Sequence, residues 1–205
     1  MRVIEQSYEI IRFHPEDEIY KIAHGYAQCY NKPIPETFEE QCEFIKRNRR
    51  HGSPLEHGNM TVHFVTNRGV THELIRHRHT GYSQQSTRYC NYTQDRFDNM
   101  LTFIQDSSVI NDPELMDIWY TARQVDEVEY FSRIRKGQKP GEARGGLPND
   151  LATQIDVTTN LREWHDILSL RTSKAAHYQF RALMLPLLHE MKETLPCIFD
   201  DIPEE

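Results

Sequence analysis

Segments with helical periodicity and segments with strand periodicity follow one another in no regular order along this chain of 205 residues. In some segments apolar side chains recur three and four residues apart, and in others they alternate with polar ones. A doubly wound or barrel α/β fold would require a helix after nearly every strand. The observed order therefore predicts an α+β protein.

Helices are predicted where the apolar spacing is helical and where proline or an acidic residue marks a start. They are expected at residues 16–30, from Pro35 onwards, from Asp112-Pro113 onwards, and at 160–171 and 174–194. Pro186 should kink the last of these helices, because a proline inside a helix removes a backbone donor.

Strands are predicted where apolar and polar residues alternate, at about 59–66, at 101–104 and at 153–157. The segments 51–54 and 67–69 are expected to be turns. An ordered loop is predicted at 79–95 and a mobile loop, rich in glycine and charge, at 136–146. No repeat, low-complexity tract or glycine-serine linker divides the chain, so residues 1–205 are expected to form a single domain.

The sequence also indicates the cellular environment of the protein. Its four cysteines are scattered without a C-x-x-C pair, which indicates reduced thiols and no metal site. The N-terminus has no apolar signal segment, and the uncharged apolar stretch 183–188 is far too short to cross a membrane. We therefore expect a cytoplasmic protein with no membrane partner.

Charge is distributed unevenly along the chain. The formal net charge of −7 argues against a broad nucleic-acid surface. Between residues 68 and 88, however, Glu73 is the only acid among four arginines and three histidines. The basic residues are Arg68, His72, Arg76, His77, Arg78, His79 and Arg88. A local cationic cluster on an acidic protein suggests a small anionic ligand, such as a nucleotide phosphate.

The run from Arg76 to Tyr89 carries most of this charge, with three guanidinium groups among hydroxyl and amide side chains. Arginine forks bind phosphate bidentately, and a polar loop can add backbone N–H donors. A solvated basic surface segment would have the same composition. The residues alone leave both interpretations open.

The spacing within this run resembles a known signature. Arg76-His77-Arg78, then seven residues, then Ser86 is similar to the signature of flavin-dependent thymidylate synthases. Further segments resemble that family in the family's order, and they are residues 51–57 (HGSPLEH), 143–148 (ARGGLP) and 160–162 with 170–171 (NLR and LR).

This resemblance implies the fold, the reaction and the assembly. It implies an α+β domain with a small antiparallel sheet, assembled as a homotetramer whose active sites are shared between subunits. The implied reaction is reductive methylation of dUMP to dTMP, with 5,10-methylenetetrahydrofolate as the one-carbon donor and FAD reduced by NADPH as the hydride source. No cysteine nucleophile and no nucleic-acid partner are implied.

The resemblance also implies two sets of ligand residues. The residues implied for FAD are Ser53, Arg76, His77, Arg78, His79, Gln84, Asn160, Leu161, Arg162 and Asp166, with Asn160 and Arg162 acting across a subunit boundary. The residues implied for dUMP are Glu73, Arg76, Gln84, Gln85, Ser86, Thr87, Arg88, Arg144 and Arg171, with Arg144 reaching in from a neighbouring chain. His51 is a further candidate, because it lies beside the turn expected to meet the flavin.

Arg171 is the implied catalytic residue. It would sit against the uracil ring and favour the form that has lost the N3 proton, because a permanent cation stabilises an adjacent anion. Two positions depart from what many family members carry. Gln84 stands where Glu is frequent, and Asp166 stands where Asn or His is frequent, so their individual FAD contacts are the ones the sequence leaves open.

Three alternatives compete with this hypothesis. Cys197 follows Pro196, as does the nucleophile of the other thymidylate synthase family, although no activating partner is evident in the sequence. A nucleic-acid-binding module could use the cluster at 68–88, but its binding should fall steeply with salt. A related chain could bind flavin without activity.

Overall fold

The structure, a computed structural model, describes residues 1–204. Its contacts group the chain into two compact units. The first unit consists of Met1–Ser7, Phe64–Arg76 and Ser83–Ile155. The second unit consists of Tyr8–His63, His77–Tyr82 and the chain from Asp156 onwards.

The described residues form both helices and strands, which confirms the α+β class. The helices are α1 (Pro15–Tyr30), α2 (Phe38–Asn48), α3 (Arg68–Leu74), α4 (Pro113–Arg135), α5 (Pro140–Ala143), α6 (Leu161–Arg171), α7 (Tyr178–Thr194) and α8 (Pro196–Phe199). The strands are β1 (Arg2–Ile4), β2 (Ser7–Ile10), β3 (Asn59–Asn67), β4 (Gly81–Gln84), β5 (Thr102–Ile104) and β6 (Ala152–Asn160). No helix within residues 1–204 combines the length and the apolar character needed to cross a lipid bilayer.

Four strands form a sheet in the order β2-β3-β6-β4. In β3 and β6 the Oγ1 atoms of Thr61 and Thr158 lie 2.9 Å apart, and His63 Nδ1 lies 2.6 Å from Asp156 Oδ1. The residue number rises along β3 while the number of its partner falls along β6, so the two strands are antiparallel. The small antiparallel sheet is thus confirmed. A second, parallel pair joins β1 to β5, with Val3 opposite Phe103. The strand predicted at 101–104 is confirmed as β5, whereas β1 was not predicted, because its three residues are too few for alternation to show.

The core of the first unit forms around α4. This helix begins where proline fits the first turn, and Asp112 Oδ1 accepts hydrogen bonds from the backbone N–H groups of Glu114 and Leu115. Trp119 and Tyr130 are buried in one cluster with Phe103 and other apolar residues. The predicted helix start at Asp112-Pro113 is confirmed.

The core of the second unit is largely helical. Helix α1 buries Ile19, Ile22 and Tyr26 at helical spacing and packs on α2 and on the 3-10 turn Ser53–His57. Trp164 of α6 is fully buried, and its indole N–H donates to the carbonyl of Met60 across 3.0 Å. Helix α6 is therefore anchored to the strand that follows the Ser53–His57 turn.

Two predicted boundaries were wrong because capping residues determine them. The second helix begins at Phe38 rather than at Pro35, since Thr37 and Glu40 form a reciprocal capping box. The segment 67–69, predicted as a turn, is the start of α3, where Asn67 Oδ1 accepts from the N–H of Val70 at 2.8 Å.

Two predicted loops contain regular structure. The segment 79–95 includes β4, which pairs with β6. The segment 136–146 includes α5 and the 3-10 turn Arg144–Gly146. The last long helix begins at Tyr178 rather than at residue 174, and Pro186 lies inside it.

Candidate active site

The segment His77–Tyr82 of the second unit has a fixed backbone and exposed basic side chains. The Tyr82 hydroxyl donates to the carbonyl of His77 at 2.8 Å, and the Thr159 hydroxyl donates to the carbonyl of His79 at 2.6 Å. The side chains of Arg78 and His79 are exposed. Cationic donors on an anchored backbone are suited to binding an anionic ligand without a large ordering cost.

His77 points inward, and only 11% of its side chain is exposed. The Nε–H of Arg171 donates to His77 Nε2 across 3.1 Å. Because Nε2 accepts, the imidazole is neutral with its proton on Nδ1. That Nδ1 lies 3.7 Å from Glu163 Oε1. Burial lowers the pKa of His77, the Arg171 cation lowers it further, and the carboxylate of Asp166 opposes them.

Arg171 is the last residue of α6 and is held on two sides. Besides its bond to His77, its guanidinium carbon lies 4.8 Å from the centre of the Phe180 ring. A guanidinium over an aromatic face is attracted by the ring quadrupole. This arrangement fixes the direction of a permanent cation.

The turn that carries Ser53 meets the start of α6. A Cβ atom at Gly52 would lie 3.2 Å from Nε of Arg162, so the close approach requires glycine or a shift of the arginine. Arg162 Nη1 lies 2.6 Å from Glu56 Oε1, and both side chains are about half exposed. Ser53 is exposed beside them. The structure therefore places the turn that carries Ser53 close to Arg162 within one chain, whereas the resemblance implies that Arg162 acts across a subunit boundary.

The other flavin residues predicted in and before α6 differ in how far their side chains are available to a ligand. Asn160 precedes the helix, and its Oδ1 accepts from the backbone N–H of Glu163 at 2.8 Å, which caps the first turn. Leu161 is fully buried, so its side chain packs in the core. The side chain of Asp166 is 67% exposed and lies 3.7 Å from His165 Nδ1.

Gln84 belongs to the first unit, and its amide is engaged within the protein. Its Nε2 donates to Thr71 Oγ1 at 2.9 Å and lies 3.4 Å from Thr153 Oγ1. A glutamate at this position could accept from these hydroxyl groups but could not donate to them. The substitution of Glu by Gln is thus accommodated by threonine hydroxyls that act as acceptors.

The predicted nucleotide residues that follow Gln84 lie close to the 140–146 segment of the same unit. The carbonyl of Ser86 accepts from the N–H groups of Tyr89 and Cys90, which closes a turn. A Cβ at Gly141 would lie 3.3 Å from Cγ of Arg88, and Arg144 Nη1 lies 3.5 Å from Thr87 Oγ1. Arg144 is thus already beside this turn within its own chain.

The basic side chains of this group face solvent. Arg76, Arg88 and Arg144 are exposed, whereas Thr87 is buried and Glu73, Gln85 and Ser86 are half-buried. The exposed guanidinium groups of Arg88 and Arg144 beside this polar turn have the donor chemistry that a phosphate requires.

A cavity of 240 Å³ in the first unit contains residues that the sequence did not point to. Gln85 lines it together with Tyr92, Phe97, Arg2 and Arg96. Burial raises the pKa of Tyr92. Among the predicted site residues, Gln85 lines this cavity. The sequence could not predict that Arg2 lines it too, because the two residues are far apart in the chain.

Cys197 is fully buried, and its S–H donates to the sulfur of Cys42 at 3.1 Å. That hydrogen bond and burial raise the pKa of the Cys197 thiol. A nucleophilic cysteine needs the opposite, a lowered pKa and access to substrate. The geometry thus argues against the cysteine-nucleophile alternative. Among residues 1–204 no three His, Cys, Asp or Glu side chains are placed to share a metal ion.

Comparison with known proteins agrees with the motif resemblance. Residues 10–197 match the family described as thymidylate synthase complementing protein. A flavin-dependent thymidylate synthase from Mycobacterium avium is 31% identical over 192 residues, covering 85% of this chain and 74% of that protein. The enzyme of the same name from Corynebacterium efficiens is 28% identical over 196 residues, covering 87% and 76%.

A solved structure shares the fold. The UMP/dUMP methylase PolB from Streptomyces cacaoi, bound with 5-Br dUMP, superposes with a TM-score of 0.80 at 17% identity, covering 98% of this chain and 96% of that one. Because the family match spans most of the sequence and a relative exceeds 30% identity over most of the chain, this protein belongs to the family of flavin-dependent thymidylate synthases.

Proposed function

We propose that this protein converts dUMP to dTMP. The balanced reaction consumes dUMP, 5,10-methylenetetrahydrofolate, NADPH and a proton, and it yields dTMP, tetrahydrofolate and NADP⁺. The observation that carries the proposal for this chain is the fixed position of Arg171 beside a neutral His77. Family membership and the names of the relatives support the same reaction.

FAD fits the donor set of the second unit. Its pyrophosphate is a dianion, and the exposed side chains of Arg78, His79, Arg162 and Ser53 are donors of the matching kind. Gly52 leaves room beside Arg162 that a Cβ would fill. We assign these residues to FAD, with the start of α6 at Asn160 as a further contact. When bound, FAD would supply the hydride that completes the methyl group.

The nucleotide phosphate of dUMP is assigned to the first unit. Arg88 and Arg144 would bind its oxygens, and Arg76 and Ser86 would add further donors. Arginine is suited to this role because its planar fork can meet two phosphate oxygens at once. Gln84 is assigned a supporting role, because its amide nitrogen already binds threonine hydroxyls.

Arg171 is assigned to the uracil ring. Loss of the N3 proton places negative charge on the ring and makes C5 a better carbon nucleophile. A guanidinium held in one direction stabilises this charge more effectively than a mobile one, because it needs no reorganisation as the charge develops. His77 accepts from Nε of Arg171, and this hydrogen bond orients the guanidinium.

Flavin analysis of the purified protein tests the cofactor assignment. The protein should be yellow, and the released flavin should be FAD rather than FMN. Flavin content should persist as salt is raised, whereas nucleic-acid binding would fall steeply. A colourless protein that cannot take up FAD would exclude the proposal, and flavin retention without dTMP formation would favour the inactive flavin-binding alternative.

We also propose a homotetramer built from single-domain chains. Supporting it, α4 carries apolar side chains that residues 1–204 leave largely exposed, with Ile118 at 60%, Val125 at 61% and Val128 at 63% exposure. Exposed apolar patches of this kind mark association surfaces. Light scattering should give four times the mass of one chain, and calorimetry should give one unfolding transition.

A further inference from the structure

A pair of cysteines joins the C-terminal helix to α2 in the second unit. Cys42 lies on α2 and Cys197 on α8, and they are separated by 155 positions in the chain. Their sulfur atoms are 3.1 Å apart. A disulfide requires about 2.0 Å, so closure of roughly one ångström would connect them.

The two helices are already held together around this pair. Arg49, which directly follows α2, donates to Asp201 Oδ1 at 2.7 Å and also to the carbonyl of Ile198. Lys46 Nζ lies 3.5 Å from Asp200 Oδ2. These contacts, made by residues that follow Cys42 on one helix and Cys197 on the other, keep the sulfurs adjacent, so bond formation needs no large backbone movement.

The two thiols differ in their surroundings. Cys197 is fully buried, whereas Cys42 retains 9% exposure. The hydrogen bond from Cys197 lowers the pKa of Cys42, burial opposes it, and Lys46 lowers it again. A small oxidant would therefore meet Cys42 first, with Cys197 behind it as the resolving thiol.

We propose that Cys42 and Cys197 form a reversible intrachain disulfide that locks α8 onto α2. The oxidant is a low-molecular-weight disulfide. The Cys42 thiolate attacks one sulfur of the oxidant, which forms a mixed disulfide and releases one thiol. The sulfur of Cys197 then attacks the Cys42 sulfur and releases the second thiol. The two cysteine protons end on the two released thiols, so the protein is oxidised by two electrons and the oxidant reduced by two.

The test treats the purified full-length protein with oxidised glutathione and maps the disulfide by mass spectrometry after alkylation under denaturing conditions. We expect peptides containing Cys42 and Cys197 to be linked, the intact protein to lose the mass of two hydrogen atoms, and dithiothreitol to reverse both. The melting temperature should rise by about 5–15 °C in the oxidised form, because a long loop is closed.

The controls use the same treatment. Cys42→Ser and Cys197→Ser should each abolish the link and the melting shift, whereas Cys29→Ser, at an exposed position, should leave both unchanged. Wild-type peptide mapping decides the matter even if a core variant folds poorly. Persistent unmodified thiols, a stable glutathione adduct on Cys42, or links through Cys29 or Cys90 would overturn the proposal. The outcome is independent of dTMP formation.

Discussion

The Nε–H of Arg171 donates a hydrogen bond to Nε2 of His77 across 3.1 Å. The two residues are 94 positions apart, one at the end of α6 and one at the start of the His77–Tyr82 segment. The bond exists only while His77 is neutral, because a protonated imidazole has no acceptor. The lowered pKa of His77 therefore maintains the orientation of the arginine at neutral pH.

Substitution of Arg171 tests its proposed role at the uracil ring. Arg171→Ala should lower the rate of dTMP formation at saturating dUMP by about a hundred- to a thousandfold, the usual cost of losing one donor at a developing anion. Arg171→Lys keeps the charge but not the planar fork, and should give an intermediate rate. Reduction of the flavin by NADPH should change less. Lys174→Ala, which removes an exposed lysine three positions after Arg171, is the matched control. A rate within a few-fold of wild type for Arg171→Ala would remove the residue from the chemistry.

The pH dependence of the reaction should follow His77. As pH falls through the lowered pKa of His77, Nε2 gains a proton, Arg171 loses its acceptor, and the rate should decline. The free energy of unfolding should also decrease as pH falls. The pKa of His77 in the folded protein lies below its unfolded value of about 6.5, so its contribution to stability is present above that pH and is lost as pH falls through the folded pKa.

Asp166→Asn provides a specific check, because the Asp166 carboxylate raises the pKa of His77 against burial and Arg171. Without that charge the acid limb of the rate profile should move to lower pH. The shift should be small, since the Asp166 side chain is 67% exposed and screened by water. Asp200→Asn should leave the profile in place. An acid limb that moves to higher pH would contradict the assignment.

Arg88 tests the phosphate assignment. Arg88→Ala removes a charge-assisted hydrogen bond of about 1.5–3 kcal/mol, so dUMP affinity should fall roughly ten- to a hundredfold, while FAD content stays the same. Arg135→Ala removes an exposed arginine at the end of α4 and should not change dUMP binding. Titration calorimetry with dUMP measures both. Equal affinity in the Arg88 variant and the wild type would place the phosphate elsewhere.

Cys197→Ala separates the flavin-dependent route from a cysteine nucleophile. The variant should retain dTMP formation, because the thiol is fully buried and bound to Cys42. Some stability should be lost, since a buried cysteine packs as a small apolar residue. Turnover is to be measured on protein that is folded and loaded with FAD. Complete loss of turnover in such protein would restore the cysteine hypothesis.

Local signals predicted much of the fold, and long-range pairing accounts for much of the rest. The start of α4 was predictable because Asp112 and Pro113 are adjacent and each favours a helix start. The start of α2 was misplaced because the Thr37 and Glu40 capping box outweighs Pro35. Strand β4 was missed because its four residues show no clear alternation, and its place depends on pairing with β6 far along the chain.

For the candidate site, the motif identified residue types but not their contacts. The sequence grouped His77 with Arg78 and His79 as flavin residues, yet the structure points His77 inward and leaves the other two exposed. Glu163 was not predicted at all, although its carboxylate lies 3.7 Å from His77. Spacing rules describe neighbours on one element, whereas these contacts depend on how separate elements pack.

The side chain of Asn160, which caps α6, has an oxygen and a nitrogen that can serve different functions. The amide oxygen of Asn160 holds the first turn of the helix, and the amide nitrogen takes no part in that cap. Folding and flavin binding can therefore be separated by changing a single atom.

Asn160→Asp keeps an oxygen for the N–H of Glu163 and interacts favourably with the helix dipole, so thermal stability should be preserved. It also replaces a donor with a negative charge beside the pyrophosphate assigned to FAD, so flavin should be lost from a protein that remains folded. Asn160→Ala should lower both, with about 1 kcal/mol of stability lost with the cap. A substitution at Asn160 should therefore yield a flavin-free protein that is as stable as the wild type.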